Sequence, residues 1–192
     1  VCEEGEEEYA PEQFATDTVV IRVLEGQEQL TTENLTKWAQ ETKADRVVIE
    51  YNGMWMLQTL FDAMPQDWVI YQELLFADAN TFLSYNANMR GLVVDKLNTP
   101  ELVVFNRMPK DMDKLPLHKI VRGVSRRPDI AYDHGGDDVE YDDIEDPLPF
   151  DVNAPVIEIA DSDYALWYRD LSENMDTYKG KTVQFKGQVV LD

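Results

Sequence analysis

Three apolar segments of the sequence end in residues that could contact a ligand. These residues are Glu50, Asn52 and Gly53 after the first segment, Asp78 after the second, and Asn106 and Arg107 after the third. In an open α/β sheet, ligands bind along the edge where the strands end. A glycine there allows a backbone to approach a ligand closely, because it has no Cβ. The three segment ends therefore predict one shared binding edge.

The elements that would position these residues are strands separated by helices. Val47, Val48 and Ile49 form an apolar run without polar alternation, which is typical of a parallel strand covered on both faces. The alternation of strands and helices predicts an α/β fold with a mostly parallel sheet flanked by helices. A small, partial β or α+β segment is expected at the C-terminal end.

The order of the predicted elements follows from apolar spacing and from capping residues. Thr31 or Thr32 should cap a helix, and Pro65 should end a short one. We predict strands over 18–24, 47–49, 68–77, 102–105 and 130–132, and helices after Thr32, over 54–64, after Asn80 and over 117–124.

The composition changes at residues 135–146, which are strongly acidic and are followed by Pro147 and Pro149. This pattern is typical of an exposed linker. Its carboxylates do not have the spacing of an EF-hand loop. We therefore predict a first domain over 1–134, a linker over 135–154 and a second domain over 155–192, in which 178–190 open a small β-barrel.

The totals exclude several classes of function. The net charge of −21 disfavours binding to nucleic acid or to anionic membrane surfaces. The sequence has one cysteine, Cys2, and no apolar run long enough to span a membrane, so we expect a cytoplasmic protein. The chain starts with Val and stops soon after a predicted strand begins, so we expect further chain at both ends.

Four segments carry a resemblance to a known family. They are Cys2-Glu-Glu-Gly-Glu, Val48-Ile-Glu-Tyr-Asn-Gly53, Phe76-Ala-Asp-Ala79 and Val103-Val-Phe-Asn-Arg107. In order and spacing they resemble the Asn-Glu-Phe-Gly-Glu, Ile-Glu-x-Thr-Gly, Val-Asp-Ala and Asn-Lys-x-Asp segments of the CobW-type GTPases, the group that includes HypB and UreG. The resemblance covers the first two thirds of the chain and implies part of a P-loop NTPase-like domain.

The resemblance implies GTP and Mg²⁺ as cofactors of the intact protein. Glu3 would approach Mg²⁺, which prefers carboxylate and water oxygens. Glu50 and Gly53 would lie near the γ-phosphate, with Asn52 in the same segment. Asn106 would bind the guanine base with its amide, beside Arg107. The family further implies a nucleotide-dependent metallochaperone or regulatory role, with a protein partner or a metal-dependent client.

The sequence departs from the family in three places. No Gly-x-x-x-x-Gly-Lys-Ser/Thr phosphate loop is present, so this chain alone is not expected to hydrolyse GTP. Pro109 stands where the family has the guanine-binding Asp, and Asp111 could substitute for it. The family's Cys-x-Cys-Cys would fall near 26–31, where no cysteine occurs.

An alternative interpretation follows from these departures: a non-catalytic α/β protein-interaction scaffold with a degenerate nucleotide site. An unrelated hydrolase is disfavoured, because the sequence has no Gly-x-Ser-x-Gly and no His-Glu-x-x-His. The basic segment 118–127 could bind a phosphate or an acidic partner, or lie on a solvated helix face. The segment from Tyr178 to Val190 resembles part of bacterial proteins of unknown function that accompany a permease.

Overall fold

The structure is a computed structural model that describes Tyr9, Phe14 and residues 19–188. The chain forms two compact units, one of 1–72 with 89–96 and one of 73–88 with 97–192. The helices are α1 (Thr32–Thr42), α2 (Leu57–Ala63), α3 (Ala79–Asn88), α4 (Arg90–Leu97), α5 (Leu115–Val124), α6 (Tyr164–Glu173) and α7 (Met175–Tyr178). The strands are β1 (Leu74–Asp78), β2 (Leu102–Asn106), β3 (Asp129–Asp133), β4 (Val139–Tyr141), β5 (Val156–Glu158) and β6 (Thr182–Gln184).

The first unit is helical and has a small core. Thr31 caps α1, as predicted, because its side-chain oxygen accepts the Asn34 N–H at 3.2 Å. The Asp95 carboxylate accepts the Leu57 N–H at 2.9 Å, which satisfies a donor at the start of α2. The core of this unit is Leu30, Leu35 and Ala63, with Leu24, Trp38, Tyr51, Trp55, Leu60 and Trp68 packed against it.

Two predicted strands in this unit are wrong. The described residues 19–24 and the run 47–49 are not strands, and no described strand pairs with either. Val48 is 88% exposed, the opposite of a strand covered on both faces. Apolar β-branched runs favour a strand only where a neighbouring strand and a covering layer are present. Glu50 therefore does not lie at the end of a strand.

The second unit contains a mostly parallel four-stranded sheet, which confirms the predicted fold class. The order is β1-β2-β3-β4, with β1, β2 and β3 parallel and β4 antiparallel to β3. The predicted strand 68–77 is correct only in its second half, as β1. Helices α3 and α5 contact each other. They form one helical layer beside the sheet.

The core of this sheet lies on one face, here called the covered face. Val103 and Phe105 point to it from β2, in register with Ile130 and Tyr132 of β3, and all four are buried. Phe82 of α3 packs edge-on against Phe105, with ring centroids 4.9 Å apart. Burial of these aromatic side chains fixes the register, since a one-residue shift would turn each of them to the other face.

Residues 135–146 are not wholly an exposed linker, and that interpretation is wrong in one respect. Strand β4 pairs with β3, and the Asp142 side chain is only 3% exposed. Asp142 is held by Tyr132 and His118, so the acidic segment is anchored to the sheet. The predicted domain bounds stay a prediction.

The C-terminal part of the second unit is a β-α-β arrangement. β5 and β6 pair in parallel, and α6 and α7 connect them. Ile157, Trp167 and Tyr178 form its core. Asp161 and Ser162 lie in a short 3-10 turn before α6, and no side-chain hydrogen bond caps the start of that helix. The predicted barrel stays a prediction.

Candidate functional site at the carboxyl edge of the sheet

Two of the predicted site positions meet where β1 and β2 end. Asp78 is the register partner of Asn106, so the two side chains leave the sheet side by side. This placement follows from local sequence: each strand is an apolar run that stops at a polar residue. The carboxyl edge of a parallel sheet is the usual ligand position in α/β proteins.

Asp78, Asn80 and Arg107 are joined by three contacts at this edge. The Asp78 carboxylate lies 3.0 Å from the Arg107 guanidinium and accepts the Asn80 backbone N–H at 2.8 Å. The Asn80 side-chain amide donates to the Arg107 carbonyl at 3.1 Å. The hydrogen bond from Arg107 holds the pKa of the Asp78 carboxyl below its ordinary value. Asp78 is thus a fixed anion at the edge.

Arg107 has an unusual backbone. Its φ of 54° lies in the left-handed region, which costs a non-glycine residue about 1 kcal/mol or more. The conformation turns the chain at the end of β2, so that the Met108 N–H donates to the Asp133 carbonyl at 2.9 Å. Strain of this kind is often found at binding sites.

Asn106 has an unused acceptor. Within the described chain, its Oδ1 is buried and has no hydrogen-bond partner. A buried polar atom without a partner costs about 1–3 kcal/mol, so such atoms are uncommon. The position of Asn106 at the end of β2, in register with Asp78, makes this oxygen a candidate acceptor for a donor from a ligand.

An open cavity of about 190 Å³ lies further along, where β3 leads into β4. It is lined by Lys110, His134, Asp138 and Glu140. Lys110 and Asp138 form an ion pair of 2.6 Å, which raises the pKa of the lysine and lowers that of the carboxyl. Glu140 pairs with Lys114 at 2.5 Å, which lowers its pKa. The charges of this cavity are therefore matched within the protein itself.

The predicted nucleotide-binding residues divide between the two units. Glu50, Asn52 and Gly53 belong to the first unit, whereas Asn106, Arg107 and Asp111 belong to the second. Asn52 is buried, and its side chain accepts the Met54 N–H at 2.8 Å, so it shapes a turn.

Three other predictions concern Glu50, Gly53 and Asp111. Glu50 and Asp111 are both exposed. A Cβ added at Gly53 would meet nothing within 4 Å, so the fold itself does not require glycine there. Glu3 lies outside the described residues. The nucleotide and Mg²⁺ roles of all these residues stay predictions.

Sequence reasoning missed a buried polar cluster, here called the His118 cluster, formed by His118, Tyr132 and Asp142. His118 Nδ1 lies 2.8 Å from Asp142 Oδ2, and the Tyr132 hydroxyl donates to Asp142 Oδ1 at 2.7 Å. Burial, followed by this hydrogen bond, raises the pKa of Tyr132. One signal was available: His118 lies three residues before Val121, on the buried side of α5.

Two features are absent from the described residues. No group of three or more His, Cys, Asp or Glu side chains among them is arranged to hold a metal ion. No described helix has the length and apolar content to cross a membrane.

Comparison with protein-family models, with curated proteins and with solved structures finds no match to this chain. The resemblance to the CobW-type GTPases therefore stays a prediction.

Proposed function

We propose that this chain is part of a CobW-like GTP-binding protein, and that its four-stranded sheet supplies the edge that binds the guanine base. The observation that supports this most is the buried, unpartnered Oδ1 of Asn106 at the end of β2. A ring or amino N–H of a base could donate to that oxygen, while the amide nitrogen donates to the base in return. Asp78 and Arg107 would flank the ligand.

The residues present fit the base but not the phosphates. An asparagine amide and neighbouring charged groups suit a base edge, whereas a triphosphate needs a glycine-rich cradle and a lysine. The sequence contains no such loop. GTP and Mg²⁺ would therefore bind in the intact protein, and this chain alone would not hydrolyse GTP.

The wider role proposed for the intact protein is nucleotide-dependent metal delivery or regulation in the cytoplasm. A protein partner or a metal-dependent client would respond to the nucleotide state. The net charge of −21 supports the exclusion of nucleic acid and of direct membrane insertion from the proposed partners.

A second candidate, a non-catalytic α/β interaction scaffold, is favoured by a different observation. Pro109 stands where the family has its guanine-binding carboxylate, and Asp78 already holds Arg107 at 3.0 Å. With a proline in place of that carboxylate and with Arg107 held by Asp78, the sheet could keep its fold without binding a nucleotide. Asp111, two residues after Pro109, is a carboxylate that could restore base recognition.

A titration with guanosine tests the first proposal, because guanosine carries the base without phosphates. We expect weak, about millimolar binding that shifts the side-chain amide signal of Asn106 in an NMR spectrum. Asn106→Ala should abolish the binding, and Asn88→Ala, at an exposed residue of α3, should not. Equal shifts with adenosine, or no shift, would favour the scaffold.

Calorimetry with GTP and Mg²⁺ tests the second part of the proposal. Since the phosphate cradle is missing from the sequence, we expect no tight binding by this chain. Micromolar affinity would contradict the proposal that this chain alone cannot hold the phosphates of GTP.

A further inference from the structure

The face of the four-stranded sheet opposite the covered face is here called the open face. Side chains of a strand alternate between the two faces, so the strand register shows which residues point to the open face. The apolar ones are Leu74 and Phe76 on β1, Leu102 and Val104 on β2, Ala131 on β3, and Val139 and Tyr141 on β4.

Large apolar side chains on the open face are accessible. Phe76 is 61% exposed and Leu74 is 42% exposed, although both belong to a parallel part of the sheet. Leu102 and Val104, beside them on β2, are half-buried. Parallel sheets are nearly always covered on both faces, because their strands are apolar on both sides. Among the described residues of the second unit, therefore, no element covers the β1–β2 part of the open face as such a sheet requires.

The charged residues at strand positions of the open face all have one sign. By register, the charged strand residues that point to it are Asp78, Asp129 and Asp133, and no lysine or arginine occupies a strand position there. Arg107 reaches Asp78 from beyond the end of β2. An apolar strip bordered by carboxylates is complementary to a helix with an apolar stripe and basic flanks.

The same charges disfavour two other occupants. A second copy of the chain would bring another net charge of −21 to an acidic rim. Residues 1–18 contain seven glutamates or aspartates and no lysine or arginine, so they would also add negative charge. The negative potential that repels a second copy of the chain and residues 1–18 attracts a basic partner.

We propose that the β1–β2 part of the open face, centred on Phe76 and Leu74, is a docking site for an amphipathic helix of a partner protein, with lysine or arginine beside the helix's apolar stripe. The helix completes the missing layer of the sheet, as α3 and α5 do on the covered face. This proposal goes beyond guanine binding and does not depend on it, since the docking face and the Asn106 amide are tested separately.

The probe is a synthetic helical peptide with a leucine stripe and lysine flanks, titrated into the full chain at low salt. Two matched peptides carry glutamate flanks with the same stripe, or serine in place of leucine with the same flanks. We expect binding of the first peptide only. Equal binding of the glutamate-flanked peptide, or binding of the serine-stripe peptide, would overturn the proposal.

Substitutions at two exposed residues test whether the peptide binds on the open face. Phe76→Ser should weaken peptide binding about tenfold or more, since burying a phenylalanine in an interface is worth at least that factor. Leu74→Ser is a second variant at the same face. Met175→Ser, at a 69% exposed residue of α7 outside the sheet, is the control and should bind normally. Unchanged binding by both sheet variants would overturn the proposal.

A photo-crosslinking side chain identifies the occupant. With p-benzoylphenylalanine at position 76 of the full chain, irradiation should link the lysine-flanked peptide. A link to a second copy of the chain, or to residues 1–18 in the presence of the peptide, would assign the face to that occupant instead and would overturn the proposal. Binding of guanosine by the same protein reports separately on the Asn106 site.

Discussion

The His118 cluster gives the sharpest test of how the acidic segment after β3 is held. Asp142 lies at its centre, with its side chain 3% exposed and with hydrogen bonds to His118 and Tyr132. Its backbone N–H also donates to the Ile130 carbonyl, which extends the pairing of β4 with β3. Asp142→Ala removes both side-chain hydrogen bonds and leaves the backbone one.

The loss of stability in Asp142→Ala depends on the polar groups that stay buried without a partner. The variant leaves a tyrosine hydroxyl and an imidazole without their acceptor, and each such group costs about 1–3 kcal/mol. Two such groups together give about 2–6 kcal/mol. We therefore expect Asp142→Ala to lower the free energy of unfolding by about 2–6 kcal/mol. Tyr132→Phe, which removes one donor and leaves the carboxylate with His118, should cost about 1–2 kcal/mol.

Urea unfolding followed by circular dichroism measures these differences. The double variant should lose less than the sum of the two single variants, because Tyr132→Phe removes the hydroxyl that Asp142→Ala leaves unsatisfied. Asp143→Ala, at the exposed next residue, is the control and should change stability by less than about 0.5 kcal/mol. If Asp142→Ala matched this control, or if the effects were additive, the cluster would not anchor the segment.

Two further predictions concern backbone strain and charge. Lys43 follows α1 as its C-cap and has a φ of 53°, in the left-handed region that favours glycine. Lys43→Gly should therefore have a free energy of unfolding about 1 kcal/mol higher than Lys43→Ala in the same urea assay. Equal stability of the two variants would show that the backbone at this position is not strained. Arg107→Met should raise the pKa of Asp78 in a carboxyl NMR titration, because the hydrogen bond from Arg107 lowers it in the native protein. The stability from this pair is present above the ordinary pKa of an aspartate and is lost as pH falls through the lowered pKa; an unmoved Asp78 titration would contradict that cause.

The sequence predicted those elements whose signal is local. β2 is a short apolar run between a proline and polar residues, and it forms where expected. α1 has a capping threonine and an apolar stripe, and its N-terminus is correct. The side-by-side ends of β1 and β2 also followed, since parallel neighbours end at one edge.

The wrong predictions concern residues whose structure depends on partners distant in the sequence. Residues 47–49 have the composition of a strand, but a strand also needs a paired neighbour, which no local pattern supplies. Asp142 lies in an acidic run that is typical of a solvated linker, and only its distant partners, His118 and Tyr132, make it buried. Nothing in the sequence indicated the positive φ of Arg107 either, since arginine does not favour that backbone conformation.

The chain order of the four-stranded sheet has a consequence for how the protein folds. Each strand from β2 to β4 pairs with the strand immediately before it in the sequence, so the sheet can grow by addition at one side. No strand has to insert between two that have already paired. Loop closure is then limited to one crossover at a time, and the entropy lost at each step stays small. A ribosome releasing the chain from its N-terminal end would thus present every new strand to a partner that is already in place.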